Sequence, residues 1–589
     1  MTIYRSPLLL IPAAVLLFAT ASKPAREPAA APDALDDFIV SQMALRHVAG
    51  LSIAIIDGGR IVTARAYGVT DSVGGARVDT TTLFQAGSVS KSVAALGVLR
   101  LVEQKKLSLD TDVNATLRTW KLPPSEFTAT KPVTLRGLLS HTAGTTVHGF
   151  GGYATTSSVP TLVEVLNGTP PANSPPIRSE AIPGARWNYS GGGYTIMQQM
   201  VLDVTGQAFP DFMRKSVLEP IGMARSSYEQ PLPTAMAAKT AGGHYSDRSL
   251  VPGRWHIYPE MAAAGLWTTP SDLARFAIEV QRAYTGKSAK VISPAMARQM
   301  LTNEKDGDGL GLFLLDTGRA LRFNHNGRDD GFDTELTATA NTGQGVVIMI
   351  NANDNSRMVS RIRNFVAKQY HWPNASVYVA PAAASLPAAI AAQIAGRYEF
   401  ANNQMIAFVP HAGRLSVLED SLPDEDFILV DADHMVSAER NVRYAVVRDP
   451  SGAVTGLSLI QGATSRPVPR IGPLFADVVS RNDDDPAVDA RADSALRALA
   501  AGGQALSSSP VITTGARHDF GTNPWPPARG LRSLQFVAAQ NVEGRNIERH
   551  GFKVVRVIYY RMITDKGTTM LLVHLTSDGL ITDVDAVDG

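Results

Sequence analysis

The stretch FQAGSVSKSVAALGVLRLVEQKKL, residues 84 to 107, limits the fold more than any other. From Val93 to Val102 nearly every residue is apolar, with none of the polar face that a surface helix carries. Such a segment reads as a helix buried on all sides, and the chain must build a core around it. Two residues sit awkwardly in that setting: Ser88 at the entrance and Lys91 three positions later. Burying an ammonium costs several kcal/mol unless something compensates it. A lysine in this position needs a role.

At 589 residues the chain can hold about two to four cores. Its net charge of +1 argues against a nucleic-acid or polybasic membrane surface. There is no cysteine, which removes disulfides, thiolate metal sites and a cysteine nucleophile together. The N-terminus, MTIYRSPLLLIPAAVLLFATASKP, has Arg5, then an apolar run from Leu8 to Phe18, then Ala19-Thr20-Ala21. This pattern predicts a signal peptide over residues 1 to 21 and export to a bacterial periplasm or beyond the cell. The apolar run is short for a membrane span and Pro12 interrupts it; an uncleaved anchor is the alternative.

After a Pro/Ala-rich stretch, PDALDDFIVSQMALRHV shows helical spacing, and LSIAIIDGGRIVTARAYG reads as two strands about Asp57-Gly58-Gly59. TLRGLLS reads as a short helix capped by Thr134, and TPSDLARFAIEVQRAY as one capped by Ser271. Residues 145 to 182 are Gly-, Thr-, Ser- and Pro-rich, a long irregular segment of the kind that serves as a functional loop. From 309 onward apolar strands alternate with turns, and a helix at SRMVSRIRNFVAKQY closes the region. Strands at both ends with helices between them predict an α+β domain over 32–372, one antiparallel sheet flanked by helices plus a helical part. A linker over 373–395, a small β-barrel over 396–472 and an α+β unit over 476–589 follow. The acidic run Asp483-Asp484-Asp485 reads as a solvated loop rather than a metal site.

Ser88 and Lys91 are three apart, which places them on one helix face within a turn's reach. A serine hydroxyl needs a nearby base to become nucleophilic, and a desolvated lysine supplies one. If Ser88 opens the helix, its own N–H is free to hold an oxyanion. Taken alone, the pair is read more readily as an N-cap serine and a lysine reaching to water. Two further segments weigh against that. In PGARWNYSGGGYTIMQQM, Tyr189 stands among turn residues before a helix, placed to show its hydroxyl in a cleft. In FNHNGRDDGF, His325-Asn326-Gly327 falls near a strand end, where glycine admits a ligand close to the backbone and Arg328 offers a second N–H.

This order of motifs resembles the serine β-lactamase and penicillin-binding-protein superfamily, nearest the branch with class C β-lactamases, DD-peptidases, D-aminopeptidases and family VIII esterases. The resemblance covers about residues 35 to 370. It implies that Ser88 is the acylated nucleophile, Lys91 its partner and Tyr189 the proton carrier. His325 and Gly327 would form the strand-edge element, and the N–H groups of Ser88 and Arg328 the oxyanion hole. His141, in SHTAG, would be part of a structural turn. No metal or organic cofactor is implied. One position departs: members acting on amides carry asparagine two after the tyrosine, and here that position is Gly191. The expectation is an exported serine hydrolase working on ester or amide bonds of a small molecule or short peptide, cell-wall peptides included. The rivals are a penicillin-binding or cell-wall-sensing protein with little turnover, and a class C-like β-lactamase.

Overall fold

The computed structural model describes residues 34–588, apart from 246–247, 354–355, 374–380, 385–386, 402–403, 412–413, 420–421, 440–441, 462–463, 480–485, 501–508, 518–530, 546 and 566. The signal peptide expected at 1–21 and the acidic run at Asp483 to Asp485 lie outside the described residues.

The principal sheet joins chain segments far apart in sequence. Its strands are β1 (Gly50–Asp57), β2 (Arg60–Gly68), β3 (Phe313–Leu315), β4 (Arg322–Asp329), β5 (Phe332–Thr339) and β6 (Gly345–Ile350). Among the described residues their order is β2-β1-β6-β5-β4-β3, every pair antiparallel. The Asp57-Gly58-Gly59 hairpin forms as expected. The sheet is covered on both faces, and the period of two sorts its side chains. Leu51, Ile53, Ile55, Val346, Ile348 and Ile350 face one core, shared with helix α1 (Ala34–Arg46). Ala54, Ile56, Val347 and Met349 face the other, where helix α2 (Val89–Glu103) lies. Two-sided burial explains why β1 and β6 read as continuous apolar runs.

Helix α2 is the buried helix that its sequence demands: from Val89 to Leu99 every residue is buried. Gly97 lets a neighbouring helix approach, because a Cβ there would stand 3.0 Å from the Met213 sulfur. Helices α3 (Gly191–Thr205) and α4 (Pro270–Tyr284) complete that side. Thr134 caps its short helix as expected, by accepting from the Gly137 N–H. The cap of α4 is Thr269 and not Ser271: Pro270 takes the first helical position, suited to its fixed φ, and the Thr269 hydroxyl accepts from the Asp272 N–H. Helix α5 (Ser356–Gln369) returns beside α1 and packs Met358, Ile362 and Val366 on the sheet.

Downstream, eight strands between Gly396 and Gly472 close into an antiparallel barrel, each paired with the next in sequence and the last with the first. Its interior is filled: Phe408 meets Tyr398, Phe427 and Tyr444 edge-on at 5.7, 5.4 and 5.5 Å. Next, helix α6 (Pro486–Ala500) packs Ala492, Ala495 and Leu496 on a four-stranded sheet running from Leu531 to Asp588. Arg397, fully buried at the barrel's start, lies between the rings of Phe475 and Tyr559 at 4.1 and 4.8 Å and so ties the barrel to that sheet. Among the described residues no helix is long and apolar enough to cross a membrane.

Phe408→Ala removes the ring on which the barrel's aromatic contacts converge. It should lower the stability of the barrel by about 3–5 kcal/mol, measured by urea unfolding followed through tyrosine fluorescence.

Candidate active site

Three chain segments meet where α2 begins. Helix α2 starts at Val89, one residue later than Ser88. Ser88 already has helical angles, φ −64° and ψ −11°, and its side chain makes no capping bond. The hydroxyl is engaged instead by Lys91, whose Nζ stands 2.9 Å from Ser88 Oγ and donates to the Ala263 carbonyl at 2.8 Å. Lys91 is 2% exposed, so it does not reach for water. Ser88 thus stands at the N-cap position without capping the helix, and Lys91 does not snorkel.

The turn that carries Ser88 rests directly on strand β4. A Cβ on Gly327 would stand 1.9 Å from the Ala86 carbonyl oxygen and 2.9 Å from the Ser88 nitrogen. Gly87, at φ +51°, would in turn place a Cβ 2.4 Å from the Arg328 nitrogen. Only glycine fits at either place, and the result brings the Ser88 and Arg328 amides to the same spot. Strand β3 pairs with Arg322, Phe323 and Asn324 and no further, so the β4 edge beside Ser88 has no strand partner there among the described residues.

Tyr189 arrives from the start of α3. Its segment is fixed by His141, which sits at φ 55° in a tight turn. The Ser190 N–H donates to His141 Nδ1 at 3.1 Å, the Asn188 N–H to the His141 carbonyl at 2.7 Å, and the His141 ring lies 4.2 Å from that of Tyr189. Accepting at Nδ1 requires a neutral ring, and burial, followed by the charge of Lys91, holds the His141 pKa well below the usual histidine range. Lys91 Nζ stands 5.0 Å from the centre of the Tyr189 ring. His325 is stacked on Phe313 at 4.8 Å and donates from Nδ1 to the Asn326 carbonyl at 2.6 Å. Burial, then Lys91, pushes its pKa down to about 3. It is therefore neutral and offers Nε2 as an acceptor.

A cleft of ≈ 320 Å³ has Ser88, Tyr189, His325, Gly327 and Arg328 in its lining. The structure thus brings together all the residues that the sequence singles out, Lys91 lying just beneath. The Arg328 side chain itself turns to Asp333, at 2.8 Å, on the other face of the strand. Sequence reading missed the Ala263 carbonyl, the positioning by His141 and the stacking by Phe313. A backbone acceptor carries no side-chain signal; the tight Ala-Ala-Ala-Gly run at 262 to 265 is its nearest trace.

Gly191 has a local reason. The loop after His141 lies against the start of α3, with the Gly191 and Gly192 N–H groups donating to the carbonyls of His148 and Val147. A Cβ at 191 would stand 3.0 Å from the Phe150 ring, and one at 192 only 2.4 Å from the Thr146 carbonyl oxygen. A side chain at 191 would meet the Phe150 ring of the facing loop.

The family model described as Beta-lactamase matches residues 35–369. The chain belongs to the beta-lactamase family. Penicillin-binding protein 4 of Amycolatopsis lactamdurans is 28% identical over 327 residues, 52% of this chain and 81% of that one. The teichoic acid D-alanine hydrolase of Staphylococcus aureus is 23% identical over 322 residues, covering 54% of this chain and 74% of its own. Among solved structures, the octameric penicillin-binding protein homologue from Pyrococcus abyssi aligns with TM-score 0.50 and 22% identity, over 74% of this chain and 99% of that one. The family match bears out the expected serine β-lactamase and penicillin-binding-protein superfamily, and the solved structure its fold.

Behind the site two carboxyl groups are buried, Glu260 at 0% exposure and Asp329 at 3%, and no side chain among the described residues bonds to either. Burial pushes Glu260 from 4.5 up to about 8. Its folded pKa is raised, so its contribution to stability is fully present below pH 4.5 and is lost as pH rises through about 8. Glu260→Gln should therefore raise the Tm relative to the native protein, and by more at pH 9 than at pH 5, in differential scanning calorimetry.

Proposed function

We propose that the chain is an exported serine hydrolase that works through an acyl-enzyme on Ser88 and prefers esters to amides. The observation that carries this reading is the buried amine of Lys91, 2.9 Å from the Ser88 hydroxyl, held there by a second bond to Ala263. Ser88 Oγ attacks the substrate carbonyl while its proton passes to the Lys91–Tyr189 pair. The oxyanion rests on the N–H groups of Ser88 and Arg328. The leaving alcohol takes a proton from the Tyr189 hydroxyl, which has no other partner among the described residues, and departs. Water then adds to the acyl carbonyl and gives a proton to the Lys91–Tyr189 pair, and Ser88 takes that proton as its bond to the acyl group breaks and the acid departs. Neutral His325 accepts a hydrogen bond from the substrate at Nε2 and takes no part in the proton transfer.

The preference for esters rests on Gly191. An amide needs its N–H and carbonyl held while a poor leaving group departs, and the side chain that would hold them is absent. Missing a buried hydrogen-bonding partner lowers rates by about ten- to a hundredfold. An ester, with the better leaving group, depends on it less. The relative named as a teichoic acid D-alanine hydrolase supports small acyl groups such as D-alanyl as substrates. The relatives named as penicillin-binding proteins, and the apolar N-terminal segment, support action in the bacterial envelope.

A fluorophosphonate should label Ser88 alone, as mapped by mass spectrometry, and Ser88→Ala should abolish turnover while leaving the circular dichroism spectrum unchanged. Labelling elsewhere, in folded protein, would exclude this mechanism. Tyr189→Phe should lower kcat for p-nitrophenyl acetate about 10²- to 10⁴-fold, the range for loss of a proton-transferring group. In a panel of p-nitrophenyl esters, D-alanyl anilide and nitrocefin, the esters should give the highest kcat/KM. A stable penicilloyl adduct with no ester turnover would instead favour a penicillin-binding sensor.

A further inference from the structure

The cleft extends past the nucleophile, round the edge strand. Along β4, His325, Gly327 and Asp329 are buried, while Asn326 and Arg328 are exposed on the opposite face. Helix α5 stands beside that outer face. Its Val359 lines the cleft, and its Arg363 holds Glu335, another lining residue, at 2.8 Å.

Two more arginines of α5 end on the barrel. Arg361 meets Glu439 at two points, Nε to Oε2 at 3.0 Å and Nη2 to Oε1 at 2.7 Å. Arg357, one turn earlier, is paired with Glu425, which is 1% exposed. Ser437 joins the two carboxylate segments, since its hydroxyl donates to Glu425 and accepts from the Glu439 N–H. A two-point guanidinium–carboxylate pair fixes orientation as well as distance. A carboxylate taken out of water depends strongly on its partner. Val359 lies between Arg357 and Arg361 on the helix, so any roll of α5 moves the cleft wall directly.

We propose that the barrel is a working part of the cleft, with Glu425 and Glu439 as positioning residues that hold α5 and, through Val359 and the Arg363–Glu335 pair, the outer wall on which a substrate lies. The inference rests on the Ser88 acyl-enzyme reading. A short acyl group sits at Ser88 and scarcely senses the wall. A longer one, passing the strand edge, lies against it.

The test uses the full chain, with Glu439→Gln, Glu425→Gln and the charge exchange Arg361→Glu/Glu439→Arg, assayed on p-nitrophenyl acetate and p-nitrophenyl octanoate. Each single variant should raise KM for the octanoate about three- to tenfold relative to the acetate, with kcat changed by less than about twofold, and the exchange, which re-forms the 361–439 pair, should reverse most of the rise seen in Glu439→Gln. Folded single variants with an unchanged KM ratio would overturn the proposal. So would a rise in Glu439→Gln that the exchange does not reverse. If the native protein neither labels with fluorophosphonate nor cleaves esters, the acyl-enzyme reading fails. The barrel's hold is then judged by hydrogen exchange over 356–369: faster in the single variants and restored by the exchange if it stands, unchanged if it falls.

Discussion

The structure depends on one buried amine. Lys91 lies in the wholly buried part of α2, Val89 to Leu99, and it has two oxygen partners, the Ser88 hydroxyl and the Ala263 carbonyl. A buried amine is strongly oriented by whatever acceptors it finds, because leaving a donor unmet in low dielectric is expensive. One acceptor comes from the same helix and the other from a segment 172 residues away. The two bonds therefore join α2 to the 261–264 segment and aim the nitrogen at the serine. The apolar helix is what makes those bonds strong and keeps water from competing for them.

A second constraint is contact between backbones. The turn at Gly87 and the strand at Gly327 approach more closely than any side chain allows, and this approach sets two amides beside one hydroxyl. Gly191 and Gly192 do the same for the loop that follows His141. The site is thus built of glycine contacts as much as of functional groups. The residues with chemistry are held by residues that have none.

Much of this was legible in the sequence. Ser88, Lys91, Tyr189 and the His325-Asn326-Gly327 strand stand out because their residue types are improbable in apolar or turn surroundings. The β1–β2 hairpin and α2 were legible because their patterns are local. What could not be read was long-range: the Ala263 carbonyl, the Phe150 ring against Gly191, and the histidine that steadies Tyr189 all depend on contacts across dozens of residues. Ser271 looked like the cap of α4, but Pro270 fixes the helix start one position earlier and leaves the task to Thr269. In the barrel, three strands carry little strand pattern: Leu422–Leu429 is acidic, His434–Ser437 is only four residues long, and Thr464–Gly472 holds two prolines.

The closed ladder of the barrel has a bearing on how the chain tolerates damage. In an open sheet, loss of an outer strand uncovers one row of backbone groups. In a ring whose last strand, Thr464–Gly472, is bonded to the first, the removal of any member bares two rows at once, facing each other across a gap. Fraying from the end is then as disruptive as a cut in the middle, and the eight strands stand or fall together. For a protein with no disulfide to clamp it, continuity of hydrogen bonding around a circle does the work of a covalent clasp.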